Sequence, residues 1–267
     1  MTYDPRDLAR VRDPVLLIGA AAWILLLAEP GGVAMLAHCP ATSSGAMPSP
    51  GSLQTLLAVN PAWSLAAGWS LMLVAMMSPV LIAPLCHIRV RSFTHRRARS
   101  TALFVAGYAA IWMALGCVLL AIGLAVELFA PQSYLAAAGA VLAALVWQFS
   151  PIKQRWLNRC HAHTEIAAFG AAADFDALRF GMKHGIWCAG SCWALMLFPM
   201  LLPRGHVVAM AGVAVLVFGE RLENPMPPCW RWRGLGKVKR IVASQARIRI
   251  DALRSGAAPF SSSAPEA

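Results

Sequence analysis

The sequence predicts an all-α fold, a polytopic helical membrane bundle of about six transmembrane helices with both termini in the cytoplasm. Its 267 residues are 58% hydrophobic and only 13% charged, whereas about 25% of the residues of a soluble domain are charged. Several apolar runs reach the roughly 20 residues that a helix needs to cross a bilayer. Basic residues also alternate between the segments that join these runs. We therefore expect a multi-pass membrane protein, embedded in the lipid bilayer.

Six apolar runs give the predicted spans, and prolines mark several of their ends. Pro61 suits the first turn of the second span, while Pro79 and Pro84 each remove a backbone N–H within it and predict a kink. The segments 131–133 and 203–206 are short enough to close two helical hairpins. The spans lie near residues 14–36, 62–86, 101–126, 133–150, 185–203 and 206–222.

The distribution of Lys and Arg predicts the orientation of these spans. Of the 23 basic residues, 22 fall in segments on one side, and only Arg204 falls on the other. The positive-inside rule makes the basic side the cytoplasm. The same asymmetry explains the net charge of +11, since a basic tail beside a membrane is attracted to anionic headgroups. We accordingly expect no nucleic-acid partner.

The chain divides into three parts by composition. Residues 1–13 are expected to form a cytoplasmic N-terminus, and residues 14–224 a six-span membrane domain. Residues 225–267 form a basic cytoplasmic tail whose Ser-, Ala- and Pro-rich end is expected to be disordered. An inner loop at residues 151–184 is the longest predicted soluble element, with a short interfacial helix over Ala167–Phe180.

Three sulfur side chains lie on one face of the predicted fifth span. Cys188, Cys192 and Met196 are spaced at i, i+4 and i+8, so a helix stacks them turn upon turn. Thiolate and thioether are soft ligands that suit Cu(I), and we interpret the three as the primary metal ligands. The alternative is packing, because buried cysteine also acts as a small hydrophobe. Met113 and Cys117 have the same spacing in the third span, so the pattern also arises by chance.

A second sulfur group lies in the predicted second span at Met72, Met76 and Met77. At about 1.5 Å per residue, Met76 falls at the same depth as Cys192, and Met72 falls at the same depth as Met196. These methionines are expected to complete the metal shell or to form the next step of a relay. Gap-filling in an apolar helix is the alternative.

Two further groups carry candidate chemistry. Glu220 lies near the cytoplasmic end of the sixth span, where an acid usually faces the bundle interior or a water-filled path. It would balance charge or carry protons, or else form an interfacial ion pair with Arg221. Cys160, His161 and His163 form a secondary candidate metal set in the inner loop, since Cys and His are common metal ligands. A solvated loop is the alternative for this set.

Four motifs occur together over residues 62–224, and the combination is more specific than any one of them. They are Trp69-x2-Met72-x2-Ala75-Met76-Met77-x-Pro79, Gln148-x2-Pro151-x-Lys153, Cys188-x3-Cys192-Trp193-x2-Met196 and Glu220-Arg221. In this combination the chain resembles a bacterial family of unknown function described as predicted metal-binding integral membrane proteins. The resemblance implies a multi-span protein of the bacterial inner membrane with a copper-chaperone-like role. Two departures stand out: Ser191 replaces a further cysteine, and Trp156 and Arg159 replace the family's frequent inner-loop Cys and His.

The sequence therefore predicts a membrane protein that binds a soft metal, Cu(I), and passes it to a copper-accepting partner or moves it across the membrane. The alternative is a structural or accessory subunit of a larger membrane complex, without bound metal. A metal-dependent membrane enzyme is least favoured, because such sites usually need several His or carboxylate ligands and an open position. No catalytic residue is identified, and the chain lacks a nucleophile elbow, a P-loop and a dinucleotide fingerprint.

Overall fold

A computed structural model describes residues 5–28, 61–130, 133–162, 164–167, 169–202 and 204–231, together with isolated positions 54, 58, 236, 240, 243, 244 and 247. Every regular element in this part of the chain is helical, which confirms the predicted all-α class. The α-helices are α1 (Pro5–Ala28), α2 (Ala62–Met77), α3 (Ile82–Arg91), α4 (Arg97–Phe129), α5 (Tyr134–Phe149), α6 (Pro151–Cys160), α7 (Gly170–Met200) and α8 (His206–Leu222).

Three helical segments are long and apolar enough to cross a membrane, namely Asp7–Ala28, Ala62–Arg91 and Thr94–Phe129. Helices α5 and α6, bent by 70° where they meet, make a fourth if the pair is one span. Helices α7 and α8, which hold the predicted fifth and sixth spans, are not in this set. The apolar residues 185–200 of α7 cover roughly 24 Å and α8 roughly 26 Å, less than a hydrocarbon core of about 30 Å.

Proline breaks the second predicted span where the sequence indicates. Pro79 lies in a 3₁₀ turn, Ser78–Leu81, that separates α2 from α3. Because proline has no N–H and its ring clashes with the carbonyl of the preceding turn, the α-helical hydrogen bonds stop at this point. Pro84 lies in the first turn of α3, where a missing N–H costs little. The α-helical pattern is therefore interrupted at Pro79 and not at Pro84.

The region predicted as an inner loop, residues 151–184, is largely helical and partly buried. Helix α6 buries Lys153, Gln154, Leu157 and Cys160, so it is not a solvated loop. The predicted interfacial helix and the fifth span are one continuous helix, α7. Residues 171–198 contain no proline, and nothing in the sequence therefore forces a break between the two.

Glycines let α4 and α7 pack with their backbones in contact. A Cβ at Gly181 would collide with the carbonyl group of Phe104 on α4. Small residues at a helix crossing permit this close approach in membrane bundles. The contact between α4 and α7 is the most extensive between two helices in the described part of the chain. It fixes the orientation of α7, and with it the direction in which the α7 sulfurs face.

One contiguous buried cluster forms the main core and draws on six helices. It includes residues of α1, α2, α4, α5, α7 and α8, and both sulfur-bearing helices, α2 and α7, contribute to it. A smaller cluster lies around Ile88, Phe104 and Phe180, where α3, α4 and α7 meet. The candidate site lies in the main core.

Candidate metal centre

The three α7 sulfurs lie in the interior of the bundle. The relative exposures of Cys188, Cys192 and Met196 are 0%, 1% and 0%. Neighbouring members of this series are about 6 Å apart along the helix axis, and the outer two are about 12 Å apart. A single ion could therefore join two neighbouring sulfurs but not all three. The arrangement is a ladder with two successive steps.

Both thiols of this ladder already have protein partners. The Cys188 Sγ atom lies 3.4 Å from the hydroxyl of Tyr108, and the Cys192 thiol donates to the Cys188 carbonyl at 2.9 Å. The Ser191 hydroxyl donates to the same carbonyl at 2.8 Å. A metal ion would replace the thiol protons and these weak S–H hydrogen bonds. Buried, dry thiol and thioether groups suit a soft ion such as Cu(I).

The α2 methionines share the same core. Met72, Met76 and Met77 are each 1% exposed and belong to the same contiguous cluster as the α7 sulfurs. Trp69 helps to hold α2 in place, because its indole N–H donates to the Trp112 carbonyl on α4 at 3.0 Å. All six candidate sulfur residues thus lie in one core, as the predicted match in depth requires.

Glu220 forms a buried ion pair that the sequence interpretation did not contain. Its carboxylate lies 2.8 Å from the ammonium group of Lys153, and the Gln148 amide hydrogen-bonds both of these side chains. Lys153 is 0%, Gln148 3% and Glu220 4% exposed. We call these three residues the buried ion-pair cluster. The alternative of a Glu220–Arg221 pair is wrong, because the Glu220 carboxylate is paired with Lys153. Lys153 was expected in a solvated loop.

Arg221 points away from that cluster and towards the α7 thiols. Consecutive residues of an α-helix are about 100° apart around the axis, so Glu220 and Arg221 cannot face the same partner. Arg221 Nη2 donates to the Ser191 hydroxyl at 3.4 Å, and that hydroxyl donates to the Cys188 carbonyl, which also accepts from the Cys192 thiol. In the described part of the chain, its Nε atom is buried without a hydrogen-bond partner.

Two members of the secondary candidate set lie in the described part of the chain. The two ring nitrogens of His161 lie 3.0 Å from the Leu157 carbonyl and 3.1 Å from the Arg221 carbonyl. Cys160 is buried at the C-terminal end of α6. His163 lies outside the described residues. A metal site built from Cys160, His161 and His163 therefore stays a prediction.

The donor set in the core is poor in hard and borderline ligands. No group of three or more His, Cys, Asp or Glu side chains comes together as a metal site among the residues that the structure describes. A structural zinc site usually needs four such ligands in a tetrahedron. Two thiols with neighbouring thioethers fit a soft ion better than zinc.

The two departures from the family motifs lie next to each other in space. The ring of Trp156 packs against Gly190, where an added Cβ would come within 2.7 Å of it. Ser191 is the next residue along α7, and the Arg159 guanidinium lies 5.6 Å from the centre of the Trp156 ring. An indole therefore fills the space beside Gly190, one residue before Ser191. Nothing in the sequence signals that Trp156 packs against this part of α7.

Fold and core together define a class, an all-α protein with apolar helices long enough to cross a bilayer and a sulfur-rich interior. The chain belongs to the PpoB2 family, whose description is copper chaperone and whose model matches residues 66–240. The match covers more than half of the chain and contains all the candidate site residues. It confirms the copper-chaperone-like family indicated by the sequence motifs. No curated protein and no solved structure matches this chain.

Proposed function

We propose that this protein binds Cu(I) inside the membrane and hands it on, either to a partner protein or across the inner membrane. Copper is the cargo in this proposal. Membership of the copper chaperone family supports a copper-related role. The single observation that carries the site is the complete burial of Cys188, Cys192 and Met196 on one face of α7, in the same core as the α2 methionines.

The proposal includes the six-span topology with both termini in the cytoplasm. Three apolar segments support a membrane location, and the bent α5–α6 pair adds a fourth candidate. Two shorter helices, α7 and α8, would complete the bundle. A short apolar stretch is accommodated by local thinning of the bilayer or by packing against neighbouring helices. The one-sided distribution of basic residues sets the orientation.

The ladder geometry favours transfer over storage. Cys188 with Cys192 forms one soft step, and Cys192 with Met196 forms the next, about 6 Å further along the helix. Movement of an ion along a protein requires sites that are strong enough to accept it and weak enough to release it. A step from two thiolates to one thiolate and a thioether meets this requirement. Met72, Met76 and Met77 would take over the ion or complete its shell.

The proposal is tested by metal analysis of the detergent-purified full-length protein after anaerobic loading with Cu(I). We expect stoichiometric copper in the wild type and a loss of it in the Cys188→Ser/Cys192→Ser double variant. The matched control is Cys117→Ser/Cys229→Ser, because both of these thiols are exposed and neither belongs to the ladder. Met196→Leu removes the thioether with little change in side-chain volume, so the fold and the first step should be kept. Release of copper to a chelator should be slower, because the second step of the ladder is lost.

Absence of copper from well-folded wild type would contradict the metal site and leave the alternative of an accessory membrane subunit. Small residues would let a partner helix pack closely, but several of those in this chain pack against its own helices. Gly107 packs against the backbone of α7, Gly116 packs against Trp69, and Ala137, Ala140 and Ala144 are buried. They therefore leave less surface for a partner helix than the sequence indicates.

A further inference from the structure

Arg221 is a cation held beside the thiols without a carboxylate of its own. It forms no ion pair with an Asp or Glu in the described part of the chain, while the adjacent Glu220 is taken by Lys153 at 2.8 Å. Its guanidinium donates to Ser191 Oγ at 3.4 Å, and both the Ser191 hydroxyl and the Cys192 thiol donate to the Cys188 carbonyl, so Arg221 lies next to the ladder. The Arg221 side chain is half-buried and its Nε atom is fully buried, and a charge in such a setting is stabilised by an opposite charge nearby. The geometry therefore calls for negative charge on the sulfur side.

The charge on the ladder can be counted from its members. Cysteine binds a metal as thiolate, so Cys188 and Cys192 contribute two negative charges, while Met196 is neutral. Arg221 contributes one positive charge. The Lys153–Glu220 pair contributes no net charge. One further positive charge makes the site neutral, whereas two leave it with an unbalanced positive charge in an apolar interior.

From this balance we propose that Arg221 makes the site selective for monovalent soft cations, Cu(I) and Ag(I), against divalent thiophilic ions such as Cd²⁺. The inference rests on the proposed function and names the class of cargo that the same residues accept. Arg221 is a charge-balancing residue here and does not ligate the ion. Thiolate ligands by themselves do not exclude divalent ions, because Cys thiolates bind Zn²⁺ as well as Cu(I). The fixed guanidinium repels a divalent ion twice as strongly as a monovalent one.

The test compares wild type, Arg221→Gln and Arg221→Lys as detergent-purified full-length proteins, with Arg155→Gln as the control for loss of one arginine. Arg155 is an exposed residue on α6 and is not one of the charged groups counted at the site. The affinities for Ag(I) and for Cd²⁺ are measured separately by competition against a chelator with a metal-dependent absorbance. Their ratio is the readout, because any common effect of the substitution on thiolate basicity cancels in it.

We expect Arg221→Gln to raise the affinity for Cd²⁺ relative to Ag(I) about tenfold to a hundredfold. Arg221→Lys should keep the wild-type ratio because it keeps the charge, and Arg155→Gln should keep it as well. An Arg221→Gln ratio within about twofold of wild type, with copper still lost in Cys188→Ser/Cys192→Ser, would overturn the charge inference alone. Absence of Cu(I) and Ag(I) from the wild type would overturn the proposed function and the inference together.

A measurement on the wild type covers the case in which Arg221→Gln fails to fold. Ag(I) should displace Cu(I) from the loaded protein at comparable concentrations, whereas Cd²⁺ should not displace Ag(I) at any concentration that leaves the fold intact. Displacement of Ag(I) by an equimolar amount of Cd²⁺ would overturn the selectivity without any variant.

Discussion

The sulfur ladder of α7 and the buried ion-pair cluster of Gln148, Lys153 and Glu220 lie in one helical bundle but arise differently. The ladder is built from one helix, and its members need only the 3.6-residue period to share a face. The cluster joins α5, α6 and α8, and each member is unfavourable in the interior without the other two. We therefore expect the loss of one member to cost little stability in the ladder and much more in the cluster. Arg221, adjacent to Glu220, connects the two regions.

The largest effect is expected from Glu220→Gln, which leaves the buried ammonium group of Lys153 without its counter-charge. Breaking a buried ion pair from one side typically costs about 3–5 kcal/mol, and we expect a loss of this size in the free energy of unfolding. Denaturation of the purified protein in detergent, followed by circular dichroism, measures it. The Lys153→Met/Glu220→Met double variant should recover most of the loss, because removing both charges is often nearly neutral. A single variant as stable as wild type would contradict the interdependence of the cluster.

A smaller effect, on copper and not on the fold, is expected from Ser191→Cys. Ser191 Oγ lies beside the Cys188 carbonyl and the Arg221 guanidinium, so a thiol there would add a third sulfur to the first step of the ladder. We expect Cu(I) affinity to rise about tenfold, equivalent to about 1.4 kcal/mol, in competition with a copper chelator. Ser191→Ala is the matched control and should give no gain. Equal affinities in the two variants would show that position 191 does not reach the metal.

The smallest effect is expected from Asp174→Asn in the first turns of α7. Asp174 pairs with Arg96 at 2.6 Å and with Arg99 at 2.7 Å, and the Arg99 side chain is 70% exposed. Ion pairs near the surface contribute about 0–1 kcal/mol, and the free energy of unfolding should fall by no more than that. The same denaturation experiment measures it. A loss as large as that of Glu220→Gln would mean that burial does not distinguish the two kinds of ion pair.

Local patterns in the sequence predicted much of the architecture. The all-α class, the break at Pro79 and the bounds of the last helix, residues 206–222, follow from apolar runs and proline chemistry. The shared burial of Cys188, Cys192 and Met196 follows from their spacing. Helix starts were predicted less well: α7 begins at Gly170, and the predicted span began at 185, because the polar residues before it were assigned to a loop.

The pairing of charged side chains depends on which helices meet, and hydropathy carries no information about that. Lys153 is a basic residue in a polar stretch, so the sequence indicates a solvated lysine, yet tertiary packing buries it against Glu220. His161 lies 3.1 Å from the Arg221 carbonyl on α8, a contact that its place in the sequence does not indicate. The sequence alone determined the helices and the sulfur-bearing face of α7, because both depend on short-range periodicity. Only the packed bundle determined the partners of Lys153, Glu220 and Arg221, because contacts between helices distant in sequence are fixed by shape and burial in three dimensions.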